Sequence, residues 1–146
     1  MKEQQSCEFP ESNPLDDEIR GILENSKTIA IVGLSDKPER DSYGVAKYLK
    51  DHGYKIIPVN PTKQEILGEK SYPDLASIPT PVDIVDIFRN IDAVPGIVEE
   101  AIGIKAKVVW MQLGLAHNQS AQKARDAGLI AVQSKCLKVE HGRLMR

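Results

Sequence analysis

Cysteine is scarce in this 146-residue chain: only Cys7 and Cys136 occur, with no C-x-x-C and no Cys/His cluster. That scarcity argues against a disulfide scaffold and a structural zinc site, and it makes a reducing cytoplasm the expected compartment. An excess of one charge is missing as well. Nineteen Lys+Arg stand against 21 Asp+Glu, a net charge of −2, so no overall basic field draws the chain to nucleic acid or to an anionic membrane. No apolar run is long enough to span a bilayer. Residues 1–13 are polar and carry no hydrophobic core of a signal peptide. Repeats, low-complexity tracts and an interdomain linker are also lacking. What is present is an ordinary globular balance, 41% hydrophobic and 27% charged, at a length expected of one domain. Such a chain can bury most of its apolar surface without a staple.

Residues 1–14, polar and holding Pro10 and Pro14, read as a loosely held arm ahead of a domain over 15–146. From Leu15 onward, helical and strand patterns alternate. Leu15, Ile19, Ile22 and Leu23 recur at helical spacing behind Asp16, Asp17 and Glu18, acids that a helix start favours. Thr28–Val32 is a short apolar run stopped by Gly33, as in a strand buried on both faces. A helix is predicted over 43–52 and a second strand over Lys55–Val59, broken by Asn60-Pro61. A short helix is predicted over 74–78, a third strand over 82–88, and a helix over 94–102 with Pro95 in its first turn. A fourth strand over 107–111, a helix over 118–127, a fifth strand over 129–132 and a final helical turn or two over 136–141 complete the pattern. Alternation of this kind predicts an α/β fold: a single-domain, Rossmann-like, doubly wound parallel sheet of about five strands, helices on both faces. The expected order is 3-2-1-4-5, with ligands at the carboxyl ends of the strands beside the switch point between strands 1 and 4.

The strand ends are therefore the residues to read. After strand 1, Gly33 permits a sharp turn, Ser35 and Ser42 offer hydroxyls, and Arg40 offers a bidentate fork in a loop that also holds Pro38. The helix start behind them adds free N–H groups, so the loop suits a phosphate. It reads equally as a capped loop in which Ser42 caps the helix and Arg40 pairs with Asp36 or Asp41. It matches neither G-x-G-x-x-G nor G-x-x-x-x-G-K-[ST]. Strand 2 ends in Asn60, Pro61 and Lys63, without the carboxylate that holds the ribose hydroxyls of NAD. This end suits a phosphorylated ribose, or is simply a turn. Strand 3 ends in Phe88 and Arg89, which can meet a ligand or serve as core residue and ion-pair partner. Strand 4 ends in Trp110, Met111, Gln112, Leu113 and Gly114, where Gln112 can bond an amide and Trp110 reads as core. Asp86, inside the third strand, would need hydrogen-bond partners if buried. No residue stands out as nucleophile, general base or metal ligand, so no catalytic residue is assigned.

Several of these runs resemble a known family. Val32-Gly33-Leu34-Ser35, Pro38-Glu39-Arg40-Asp41-Ser42-Tyr43, Pro58-Val59-Asn60-Pro61, the run from Asp83 to Arg89, and Trp110-Met111-Gln112-Leu113-Gly114 look like the small single-domain CoA-binding proteins. These are similar to the CoA-binding Rossmann domain of the succinyl-CoA synthetase α subunit. The likeness covers residues 22–141, and the tail from Lys135 to His141 fits it. It implies a nucleotide fold that holds coenzyme A, or an acyl-CoA, at the carboxyl edge. By matching position, Gly33, Ser35, Arg40 and Ser42 would hold the phosphates, with Pro38 in the same loop. Asn60, Pro61 and Lys63 would hold the adenosine end, and Phe88, Arg89 and Gln112 the region towards the pantetheine. The synthetase reaction is not implied, because none of His52, His117 and His141 has the surroundings of that family's phosphohistidine. The expectation is a CoA-binding protein with no catalysis of its own, its partner a small nucleotide rather than nucleic acid or membrane. Docking on another protein and the oligomeric state stay open. The other reading is a nicotinamide-dinucleotide oxidoreductase or enzyme fragment, against which stand the single loop glycine and the missing acid after strand 2. Cys136 is a further expectation, as a thiol that could pair with the thiol of CoA.

Overall fold

Five short apolar runs pair edge to edge in the computed structural model, which describes residues 8–145. They are β1 (Thr28–Val32), β2 (Lys55–Val59), β5 (Ile84–Ile87), β6 (Val108–Met111) and β7 (Ile130–Val132), all parallel, in the spatial order β2-β1-β5-β6-β7. β3 (Glu65–Ile66) and β4 (Glu69–Lys70) form a separate antiparallel hairpin. The helices are α1 (Asp16–Asn25), α2 (Asp41–Asp51), α3 (Val94–Gly103), α4 (Asn118–Asp126) and α5 (Leu137–Leu144), with a 3-10 turn over Ile91–Ala93 before α3. Alternate side chains of the strands feed two cores. Ala30, Val32, Val85, Ile87, Val109 and Met111 pack with Ile97, Val98 and Ala101 of α3 and with Ala121 and Ala124 of α4. Ile29, Ile31, Ile84, Val108 and Trp110 pack with α1, α2 and α5. This is the doubly wound α/β architecture expected, covered on both faces.

The expected strand order, 3-2-1-4-5, is wrong. The third predicted strand lies beside β1, not outside β2, so the order in predicted numbering is 2-1-3-4-5. Pro58 gives the reason. Its carbonyl points away from β1 and accepts from Tyr72 N–H at 3.0 Å, so its missing N–H lies on that outer side too. A full strand there would want the donor that proline lacks. The outer side is instead closed by one bridge, in which Asn60 N–H donates back to Tyr72 O at 2.9 Å. β2 is thus an edge strand, and the switch point falls between β1 and β5.

Two local expectations also change. The segment 74–78 is a turn, not a helix: the Asp74 carboxylate accepts from Ser77 N–H and Oγ at 2.9 and 2.7 Å, and Pro79 then blocks helical continuation. The β3–β4 hairpin went unread because its two-residue loop is Leu67-Gly68, at φ of 56° and 75°, rather than the usual Asn-Gly. Lys50 of α2 holds it, donating to Leu67 O at 2.6 Å and pairing with Glu69 at 3.1 Å. The arm expected over 1–14 lies partly outside the described residues, as does Cys7. In its described part, Asn13 exchanges two hydrogen bonds with the Gln133 backbone, and Glu8 accepts from Asn118 N–H at the start of α4. Among the described residues no helix is long and apolar enough to cross a membrane.

Candidate ligand site at the carboxyl edge of the sheet

Of the glycines, Gly33 is the one whose backbone lies tightest against another segment. Its φ is +88°, its N–H donates to Val59 O at 2.9 Å, and a Cβ built on it would lie 2.2 Å from Phe88 O and 2.8 Å from Arg89 Cδ. Only glycine lets the loop after β1 pass under the end of β5. That crossing divides the carboxyl edge into two clefts. One, of about 310 Å3, lies over β1 and β2 and is lined by Gly33, Asn60, Pro61, Asp74, Arg89 and Glu100. The other, of about 560 Å3, lies between the starts of α2 and α5 and is lined by Pro38, Arg40, Phe88, Gln112, Cys136 and Val139, among others.

Eight of the eleven expected residues thus line one or other cleft: Gly33, Asn60, Pro61 and Arg89 the first, Pro38, Arg40, Phe88 and Gln112 the second. Ser35, Ser42 and Lys63 line neither. Ser42, buried in the first turn of α2, accepts from Ser35 N–H at 3.0 Å, and Ser35 Oγ accepts from Lys37 N–H at 3.0 Å. These two hydroxyls shape the loop, and the residue flanking the start of α2 is Arg40, without a side-chain cap bond. Lys63 pairs with Asp36 at 3.0 Å and holds that carboxyl below its usual range. Asn60 donates to Leu34 O at 3.0 Å and accepts from Thr62 N–H and Oγ1 at 2.9 and 2.8 Å, making it both turn residue and clasp between the two loops.

The guanidinium groups behave differently. Both are exposed, and among the described residues neither Arg40 nor Arg89 has an ion-pair partner. The pairing of Arg40 with Asp36 or Asp41 is not formed, since Asp36 belongs to Lys63. Each cleft thus has one exposed, unpaired guanidinium in its lining, Arg89 in the first and Arg40 in the second, and such a fork can take an anion bidentately. Gln112 is nearly buried. Its Oε1 accepts from Leu137 N–H at 3.1 Å, satisfying a free donor of the first turn of α5. Trp110 is core: it is fully buried, and Nε1 donates to Lys135 O at 2.8 Å. His117 caps α4, accepting from Ser120 N–H at 3.2 Å.

The two strand acids part company. Asp83 accepts from Lys27 and Thr28 N–H at 2.8 and 3.1 Å; partial burial works to raise its pKa, but those donors and Lys107 hold it below the ordinary value. Asp86 lies between Ile31 and Trp110 in register, fully buried, and neither carboxyl oxygen has a partner. The hydrogen-bond partners that a buried carboxyl calls for are not formed, and burial pushes its pKa well above the ordinary carboxylate range, favouring the neutral acid. Residues of the second cleft that were assigned no site role include Glu39, Asp41, Val45 of α2, Leu113 after β6, and Lys138 and Val139 of α5. Their only sequence signal was proximity to a strand end or to a short helix whose docking onto α2 is a long-range contact.

Comparison with known proteins fits this geometry. The family described as CoA binding domain matches residues 27–142. The uncharacterised protein YneT of Bacillus subtilis strain 168 is 45% identical over 129 residues, covering 88% of this chain and 96% of that one. The solved structure of a hypothetical protein from Pyrococcus horikoshii OT3 superposes with a TM-score of 0.90 at 43% identity, covering 100% of both chains. The acetate–CoA ligase (ADP-forming) of Methanocaldococcus jannaschii is 34% identical over 85 residues, which is 57% of this chain and 12% of the ligase.

Proposed function

This chain belongs to the CoA-binding domain family, and from that premise we propose that it binds coenzyme A or an acyl-CoA at the carboxyl edge of its sheet, without chemistry of its own. The observation that carries the reading is the close approach at Gly33 beside Arg89, with the equally exposed and unpaired Arg40 lining the neighbouring cleft. A pyrophosphate spanning Arg40 and Arg89 would take the fork each offers. The adenosine end would then lie over the ends of β1 and β2, by Asn60, Pro61 and Lys63, with Lys63 exchanging Asp36 for the 3′-phosphate. The pantetheine arm would run past Phe88 into the cleft that Pro38 and Gln112 line, towards Cys136. Gly33, Ser35 and Ser42 serve this site by setting the loop's path rather than by direct contact. Among the described residues the edge offers hydrogen-bond donors and cations, and no nucleophile is hydrogen-bonded to a base there, which favours holding a ligand.

Titration of the purified chain with CoA, 3′-dephospho-CoA and NAD tests the reading. CoA binding tightest, with dephospho-CoA weaker and NAD weakest, is the expected ranking. Equal or absent binding of all three would overturn it.

A further inference from the structure

The cleft between α2 and α5 has an apolar lip that a bare thiol would leave in water. Leu113 is 72% exposed and Val139 57%, two of the four exposed large hydrophobic side chains among the described residues. Both line this one cleft, together with Val45, Phe88 and Cys136. Neither can turn inward cheaply. Leu113 precedes Gly114, whose φ is +89° and whose N–H donates to Ser134 Oγ at 3.1 Å. Val139 stands on the outer side of α5, whose inner side is spoken for by Leu137 and Leu144. The same cleft also has polar groups. Gln112, only 7% exposed, spends Oε1 on Leu137 N–H while its amide nitrogen has no protein partner, and the unpaired Arg40 lines the cleft as well. A ligand that fits must bring an acceptor for the amide nitrogen and the guanidinium, and hydrocarbon for the lip.

We infer that this cleft receives the sulfur end of a CoA thioester and that Leu113 and Val139 cover its acyl chain, so that the preferred ligand is an acyl-CoA with an apolar chain rather than free CoA. The inference rests on the CoA reading above and adds the class of ligand. A pantetheine amide carbonyl is the acceptor the Gln112 nitrogen wants, while Arg40, also in the cleft lining, keeps the pyrophosphate. An acyl chain continuing beyond the sulfur removes apolar surface on both partners, which favours binding in proportion to the area covered. A volume of about 560 Å3 leaves room for that chain beside the arm.

The test is calorimetric titration with CoA and with acetyl-, butanoyl-, hexanoyl- and octanoyl-CoA, on the wild type and on a Leu113→Ser/Val139→Ser variant whose folding is checked by circular dichroism. Affinity should rise about two- to fourfold per added methylene until the lip is covered. In the variant that rise should flatten. Equal affinity across the series overturns the inference and leaves the CoA reading standing. A rise that the variant keeps overturns the assignment to this cleft. Failure of CoA and every thioester to bind removes the CoA reading itself.

Discussion

Arg40 is the side chain on which a ligand's charge should register most clearly. It is exposed and has no carboxylate partner among the described residues, so its charge does little for the fold. Arg40→Ala should therefore cost about 1.5–3 kcal/mol of CoA affinity, the range of hydrogen bonds to charged groups, while the melting temperature hardly moves. Calorimetry of binding beside a thermal melt separates the two; a large drop in melting temperature with unchanged affinity would contradict the assignment. Asp86 is the opposite kind of residue, contributing to no cleft and paired with nothing. Its folded pKa lies well above the ordinary 3.8, so the folded chain carries a proton that the unfolded chain releases above about pH 4. Stability associated with Asp86 is thus complete below that pH and falls as pH rises towards the folded value. Asp86→Asn removes the ionisation. Urea unfolding at pH 4 to 7 should show the variant gaining on the wild type with rising pH, by up to about 1.4 kcal/mol per pH unit. A constant difference would mean that Asp86 is ionised in the fold.

Among the elements, α5 matters most to the second cleft, because its first turn forms one wall and the start of α2 the other. What clasps the two helices lies a turn further on. Tyr48 hydroxyl meets His141 Nδ1 at 2.9 Å, and the rings of His52 and Tyr54 close around His141 at 5.0 and 5.7 Å between centroids. Burial, and then the His52 charge, hold His141 below its ordinary 6.5, so the neutral ring, whose Nδ1 can accept from the Tyr48 hydroxyl in one tautomer, is the form the fold prefers. The sign follows. This contribution is whole above about pH 6.5 and is lost as pH falls below it, since the unfolded chain protonates first. Tyr48→Phe should cost about 1 kcal/mol at pH 8 and less at pH 5.5, read by denaturant unfolding. A cost independent of pH would show that the bond does not depend on the neutral ring. The elements were also where the sequence was most and least legible. Four of the five sheet strands were announced by apolar runs of four or five residues, because burial on both faces leaves no polar alternation, and β5 was legible in spite of Asp83 and Asp86. The position of β2 was legible too, in Pro58, but needed the rule that a proline excludes a neighbour on its donor side. The Leu67-Gly68 hairpin was not legible, since Leu67 takes a positive φ that its type disfavours and holds it through contacts from α2.

For the molecule as a whole, the winding sets where the clefts lie. Chain leaving β1 turns one way to β2 and later comes back on the other side as β5, so their carboxyl ends part over Gly33 and leave two clefts there. Ligands of open α/β sheets lie at such a parting. The residue types for the site could be read along the sequence, since they follow strand ends. Their division of labour could not. Whether Ser42 meets a phosphate or holds Ser35, and whether Lys63 is free or paired with Asp36, depends on loops brought together only by the fold. The direct test of the whole account is a two-dimensional amide NMR titration with CoA. The account predicts shifts concentrated at Gly33, Arg40, Asn60, Arg89, Gln112 and the start of α5. Shifts confined to the opposite end of the sheet, around Thr28, Asp83 and Lys107, would contradict it.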